Sequence, residues 1–430
     1  MIKRSFIGLT EPKLMCDLIE SGPKEPETIP IPPRMILLLN ESLDSTRESL
    51  VKKGDMVRKG DKLHLYKESS EYVTSPVSGK ITTITPVVGH TGLPVVSISL
   101  ETAPGQGANT QFAEFAEPPD IESAARFLMG IPGNPPLQRL ADPGCRVKKI
   151  VVSAVDQDMM STTRQYVMTR SRDSLGQGVD LLKRLTGIND IVIALPESMA
   201  SLAAFGPMTL LKISQDYTDA LPEMIMQKHL GITPLPGRTC EDMGVCFISA
   251  EAVFALVDAY AGKEPVFEKI IGITDKNGRL TRVKATIGTP IHRIFTQLGI
   301  AADEKDRIII GGPLRGTSAY TLYHPVQPDM DNIIVQAAAD IPPISTDPCI
   351  NCGNCVRICP AKVPVNLLVR YLEANLYQEA ADSFDLFSCI ECGLCSFVCR
   401  ANIPIFQYIR LGKNELMKVE QETETEAENG

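Results

Sequence analysis

Two stretches of this sequence decide what its carboxy-terminal part must be. They are Cys349-Ile350-Asn351-Cys352-Gly353-Asn354-Cys355-Val356-Arg357-Ile358-Cys359-Pro360 and Cys389-Ile390-Glu391-Cys392-Gly393-Leu394-Cys395-Ser396-Phe397-Val398-Cys399-Arg400. Both place cysteines at the same spacing, and together they hold eight of the chain's twelve. Crowding of this kind speaks for metal ligation in a reducing compartment rather than for a disulfide framework. Zinc favours thiolates in two separated pairs, and a triple run closed by a fourth cysteine fits that habit poorly.

The spacing matches the pattern of two-cluster ferredoxins, in which the fourth cysteine of each run ligates the other cluster. The predicted partition gives Cys349, Cys352, Cys355 and Cys399 to one [4Fe–4S] cluster. The other takes Cys389, Cys392, Cys395 and Cys359. Gly353 and Gly393 fall between the second and third ligands of their runs, where the backbone must pass close to inorganic sulfide. Backbone N–H groups aimed at sulfur favour the more negative, reduced state. Arg400 stands where the first run has Pro360, and a cation there favours reduction, so the cluster held by Cys399 is expected to have the higher potential of the two. A solvated surface arginine is the plain alternative. Leu367, Leu368, Tyr371, Leu372 and Leu376 recur at helical spacing between the runs. That predicts a helix over 365–380 and an α-helical module over 340–415. Cys16, Cys145, Cys240 and Cys246 read as isolated small hydrophobes, with a third metal site as the alternative. The histidines have no metal-ligand spacing, and no residue is assigned a catalytic role.

Outward from that module, 430 residues predict two to four domains, and an apolar fraction of 43% supplies real cores. A formal charge of −9 argues against a nucleic-acid partner, as does the lack of a basic stripe interleaved with aromatics. The opening Met1-Ile2-Lys3-Arg4-Ser5 lacks the apolar run of a signal peptide. The longest apolar region, 191–211, is interrupted by Pro196, Glu197 and Pro207 and falls short of a spanning helix. A cytoplasmic location is expected, with peripheral docking on a membrane through partner subunits left open.

Residues 1–34, with Ile29-Pro30-Ile31-Pro32-Pro33, read as an extended arm. Short strands and repeated turns predict a compact β sandwich over 35–105. The turns are Lys53-Gly54-Asp55, Lys59-Gly60-Asp61 and Ser75-Pro76-Val77-Ser78-Gly79. Over 120–262, β-branched runs alternate with helical ones, the mark of a largely parallel α/β sheet. Over 263–325, a hairpin turn at Asn277-Gly278, a helix opened by Pro290 and a strand running into Gly311-Gly312-Pro313 suggest a β-grasp arrangement. Residues 416–430 read as an acidic, disordered tail.

In this order the chain resembles the RnfC family, the C subunits of the Rnf-type ferredoxin–NAD oxidoreductase complexes. The resemblance rests on the second cysteine run, on Gly311-Gly312-Pro313-Leu314-Arg315-Gly316 and on the Gly54 to Gly79 turns. It implies a multidomain α/β and β fold. The parts would be a barrel-sandwich (lipoyl-like) domain, an α/β domain like the complex I flavin subunit, a soluble-ligand-binding β-grasp domain and a C-terminal α-helical ferredoxin module with two clusters. Lys67 lacks the Met-Lys setting of a modified carrier lysine, so the sandwich is expected to be structural. Flavin-binding members of the family carry a loop of the type Gly-x-Gly-Gly-Ala-x-Phe-Pro and then an acidic Glu-x-Glu-Pro segment. Here the corresponding stretches are Gly130-Ile131-Pro132-Gly133-Asn134-Pro135-Pro136 and Ser153-Ala154-Val155-Asp156-Gln157-Asp158. Three prolines stand where a phosphate cradle needs N–H donors, so FMN and NADH oxidation are disfavoured. Asp156 and Asp158 read as remnants of the acidic segment or as a solvated loop. The expected function is an iron–sulfur electron-transfer subunit of a multisubunit redox complex, with other subunits and a ferredoxin or flavoprotein as partners. The alternatives are an FMN-dependent NADH dehydrogenase subunit and a structural adaptor whose clusters stabilise its fold.

Overall fold

The computed structural model describes residues 12, 14, 25–44, 46–69, 71–89, 94–103, 105, 107–200 and 208–429, and nothing is described of the side chains of 200 and 420–429. Most of the arm, Cys16 and His90 lie outside the described residues. The chain divides into two compact units. One comprises Ser21–Ala220 with Cys240–Ala339, and the other includes Leu221–Thr239 and Asp340–Gly430. The segment Leu221–Thr239, expected inside the α/β domain, thus groups with the cysteine module.

The first unit opens with β1 (Glu27–Thr28), which pairs in parallel with Val283 and Lys284 far along the chain. Six strands follow: β2 (Arg34–Leu39), β3 (Met56–Val57), β4 (Lys62–Leu63), β5 (Val73–Thr74), β6 (Gly79–Val88) and β7 (Pro94–Thr102). An antiparallel sheet forms in the order β2-β7-β6-β3, and β4 pairs with β5. Period-two alternation sends Met35, Leu37 and Leu39 into one core with Ile81, Ile98 and Leu100. Each such side chain contributes about 1.5–3 kcal/mol when fully buried. The two Gly-Asp phrases are one turn used twice. Asp55 accepts the N–H of Lys52 at 2.8 Å and Asp61 that of Arg58 at 2.7 Å. Gly54 and Gly60, at φ +102° and +88°, supply the backbone that a side chain resists.

A second sheet is wholly parallel. Its strands are β8 (Lys149–Ser153), β9 (Asp190–Pro196), β10 (Thr209–Ile213) and β11 (Val245–Ser249), in the order β10-β9-β8-β11. Helices Thr163–Ser171, Leu175–Thr186 and Ala250–Gly262 accompany it. Gly178 lets the second of these helices approach the third, since a Cβ there would stand 2.3 Å from Val253 Cγ1. The last begins at Ser249, whose Oγ accepts the N–H of Ala252 at 3.1 Å, an N-cap.

The third sheet is mixed. It is built from β12 (Glu268–Thr274), β13 (Leu280–Thr286), β14 (Arg307–Ile310), β15 (Thr317–Ala319) and β16 (Asn332–Gln336) in the order β1-β13-β12-β16-β14-β15. Helix Ile291–Leu298 buries Ile291, Ile294 and Phe295 in the same core as Ile271, Ile273 and Ile333. The expected limit at residue 325 is too early. β16 is a central strand, parallel to β12 and antiparallel to β14, and its Ile333, Ile334 and Val335 are buried. Beside this sheet runs a buried ionic network. The wholly buried Lys269 donates to Glu251 and to Asp331 Oδ1 at 3.4 Å, and Arg164 Nε donates to Asp331 Oδ2 at 2.7 Å. Glu251 and Arg164 belong to helices beside the parallel sheet, so the network ties the two sheets together.

The second unit is helical. The single helix expected over 365–380 is two, Val365–Glu373 and Tyr377–Phe384, separated where Asn375 turns left-handed at φ +58°. The final helix, Ile405–Asn429, runs through the stretch expected to be a separate disordered tail. Glu, Lys and Gln are good helix formers, and Lys418 pairs with Glu415 at 2.7 Å on its surface. Among the described residues no helix is long and apolar enough to cross a membrane.

Candidate metal centre

The two cysteine runs fold as one turn repeated. Asn351 and Glu391 take left-handed φ of +55° and +51°, and Gly353 and Gly393 take +71° and +77°. Each glycine opens a short helix, Asn354–Ile358 or Leu394–Phe397, that carries the third cysteine. The fourth cysteines close alike: Cys359 N–H donates to Val356 O at 3.3 Å, and Cys399 N–H to Ser396 O at 3.1 Å. The repeat extends past the metal ligands. Val363-Pro364-Val365 and Ile403-Pro404-Ile405 start the next helices, with Leu368 N–H on Pro364 O at 3.0 Å and Tyr408 N–H on Pro404 O at 3.1 Å. The matching Val-Pro-Val and Ile-Pro-Ile triplets are a sequence signal of this longer duplication that the reading from cysteine spacing left unused.

Cys349, Cys352 and Cys355 line one hollow, and Cys399 of the other run lines it with them. Ile350, Val369, Ile403 and Ile405 supply apolar wall. Burial pushes the Cys355 thiol up to about 11, and Cys349, Cys352 and Cys399 nearby add to the shift. Cys392 is pushed up to about 11 by burial, with Cys389 and Cys359 adding to it. Cys395 rises well above its usual value through burial and then Cys389 and Cys392. Cys359 therefore lies beside the second run, as Cys399 lies beside the first.

Crowded, buried thiols are poor thiolates on their own and need metal cations to compensate their charge. Backbone amides of Val356, Leu394 and Ser396 already favour the thiolates of Cys355, Cys392 and Cys395. Among the described residues no three His, Cys, Asp or Glu side chains converge on one ion. A single zinc needs its thiolates about 2.3 Å away on all sides. Four cysteines bordering a hollow with apolar walls instead fit a multi-atom cluster, and the donor set matches one.

Charged side chains differ between the two halves. Arg357 Nη1 donates to Cys352 O at 3.2 Å beside the first run. Lys413 donates to Cys389 O at 2.7 Å beside the second. Burial raises the Cys389 thiol, and the Lys413 charge opposes that rise. Arg400 is exposed. Lys413, supplied by the last helix, was missed in the sequence because nothing in its own neighbourhood marks it.

The expected remnants of a phosphate loop are committed elsewhere. Gly133 N–H donates to Pro328 O at 2.8 Å, and a Cβ on Gly133 would stand 2.5 Å from Ala252 N at the start of helix Ala250–Gly262. Asp156 and Asp158 do not form a solvated loop. Asp156 accepts from Ser161 Oγ and Arg164 N–H, both at 3.0 Å. Asp158 accepts from Arg315 N–H at 2.7 Å and Leu314 N–H at 3.3 Å. Cys246 is buried on β11, its thiol pushed up by burial, by Glu241 and by Cys145 and Cys240 nearby.

Residues 19–103 match the family model described as the RnfC barrel sandwich hybrid domain, and residues 348–403 match a 4Fe-4S dicluster domain. The C subunit of the ion-translocating oxidoreductase complex of Rhodobacter capsulatus is 25% identical over 366 residues, covering 78% of this chain and 69% of that protein. The protein of the same name from Serratia proteamaculans is 27% identical over 425 residues, covering 93% of this chain and 60% of that protein. This chain therefore spans roughly two thirds of the length of these relatives. A solved NAD+-reducing [NiFe]-hydrogenase overlays 72% of this chain and 63% of its own, with a TM-score of 0.43 and 13% identity.

Proposed function

We propose that the chain is a member of the RnfC family and that it relays electrons through two [4Fe–4S] clusters as a subunit of a multisubunit, ion-translocating redox complex. The observation that carries this reading is Cys399 bordering the hollow of Cys349, Cys352 and Cys355. Cys359 then completes the set of Cys389, Cys392 and Cys395. When bound, each cluster supplies a one-electron redox centre whose potential the surroundings tune. The residues contribute thiolates, apolar walls that keep water off the sulfurs, and amides that favour negative charge there. Gly353 and Gly393 supply the left-handed turn that brings the backbone close.

In the same reading the parallel sheet is a complex I flavin-subunit-like domain retained as scaffold, and the mixed sheet is a β-grasp, soluble-ligand-binding-like domain. FMN has no part in it, because the Gly130–Pro136 stretch keeps few amides and spends that of Gly133 on Pro328. Partners are the other subunits and a ferredoxin or flavoprotein, with the chain peripheral on the cytoplasmic face of the membrane. The test is anaerobic purification, with iron, sulfide, zinc and flavin counted per chain. About eight irons and no stoichiometric flavin are expected. Zinc in place of iron, or full flavin occupancy with NADH oxidation by the isolated chain, would refute the reading.

A further inference from the structure

Lys413 is distant in sequence from the cysteines, yet helix Ile405–Asn429 carries it back to the second run. Its Nζ donates to the carbonyl oxygen of Cys389 at 2.7 Å and to Glu391 Oε1 at 2.9 Å, and its side chain is only 14% exposed. Glu391 is the link to sulfur. Its backbone N–H donates to Cys389 Sγ at 3.4 Å, while its carboxylate is held by Lys413 and approached by Arg410 Nε at 3.8 Å. The corresponding turn of the first run holds Asn351, whose side chain accepts a neutral hydrogen bond from Asn366 at 2.8 Å. The backbone turn is duplicated, but the cation beside it is placed differently: Arg357 Nη1 reaches the carbonyl oxygen of Cys352, the second cysteine of its run, while Lys413 reaches that of Cys389, the first.

A largely buried ammonium is weakly screened, so its field acts on the neighbouring thiolates far more strongly than that of a surface cation. Charge and hydrogen bonding near sulfur are what tune such a centre. We propose that Lys413 sets the reduction potential of the cluster held by Cys359, Cys389, Cys392 and Cys395, its charge favouring the reduced state, with Glu391 as the counter-charge that limits the effect. This rests on the ligand sets proposed above. Lys413 touches no ligand sulfur and acts as a positioning and field-setting residue.

The test is a redox titration followed by electron paramagnetic resonance on the anaerobically purified full chain, after iron and sulfide have been counted. Wild type is compared with K413M, K413R and E391Q, and the affected cluster is assigned as the signal lost in C392S. K413M is expected to lower that cluster's midpoint and leave the other in place. K413R is expected to hold it near wild type, and E391Q to raise it. An unmoved midpoint in K413M with both clusters present would overturn the proposal, as would a fall in E391Q. If K413M fails to hold its cluster, the rise in E391Q decides alone. A wild-type chain without two clusters would instead overturn the ligand sets themselves, a result visible before any variant is titrated.

Discussion

The carboxylate of Asp158 accepts the backbone N–H of Arg315 at 2.7 Å and so fills the turn of Gly311-Gly312-Pro313-Leu314-Arg315-Gly316. Successive amides in such a turn form an anion-binding concavity, and here the anion is one of the chain's own side chains. The fit is close: a Cβ on Gly312 would stand 2.2 Å from Asp158 Cγ. This contact joins the loop after β8 to the loop after β14.

Removing the carboxylate leaves partly buried amides without a partner. D158A is expected to destabilise the first unit by about 1–3 kcal/mol in chemical denaturation. A variant as stable as wild type would show that the turn holds itself.

Lys269 has the larger stake. K269M strands the buried carboxylate of Glu251, while Asp331 keeps Arg164, at an expected cost of about 3–5 kcal/mol. The double variant E251Q/K269M should recover part of that loss in a double-mutant cycle. Strictly additive losses would mean that the pair does not interact.

The same network predicts an acid limb. Burial pushes Asp331 up, but the charges of Arg164 and Lys269 outweigh it and hold its carboxyl below the ordinary 3.8. The unfolded chain therefore binds a proton that the folded chain does not, and stability rises with pH through that window. The contribution is present above about pH 4 and is lost as pH falls through the lower folded value. D331N should flatten the acid side of a stability–pH curve; an unchanged slope would place the acid sensitivity elsewhere.

Crossed ligation makes an arithmetic prediction. C352S and C399S should abolish the same paramagnetic signal, while C359S and C392S abolish the other, each variant leaving about four irons per chain. If C399S instead groups with C392S, each run holds its own cluster.

Arg400 is a contrasting cation. It is exposed, so solvent and salt screen it. R400Q should lower the midpoint of the cluster held by Cys399 by less than K413M lowers the other. A larger fall in R400Q would place Arg400 close to its cluster in the assembled complex.

The cysteine spacing was legible because ligand geometry leaves its mark at fixed offsets in one short stretch. The parallel sheet was legible for a similar reason: its β-branched runs at Ile150 to Val152 and Ile191 to Ile193 are local signals. What the sequence hid was long-range. Nothing near Glu27 announces that it pairs with Val283, and the central place of β16 follows from partners at Gly272 and Ile308. Asn375, which divides one expected helix into two, looks like any other polar position in the pattern. Lys413 was invisible because its meaning depends on a helix returning to Cys389.

Next to Lys413 stands Gly412, where a Cβ would meet Leu372 Cδ2 at 2.6 Å and Tyr377 Cδ1 at 3.3 Å. The smallest residue thus fixes how deeply the last helix beds against its neighbours, and with that the reach of the adjacent ammonium. On the proposed role of Lys413, the midpoint of the second cluster is therefore inherited from steric clearance. A bulkier residue at position 412 would retune an electrical property without altering a single charge.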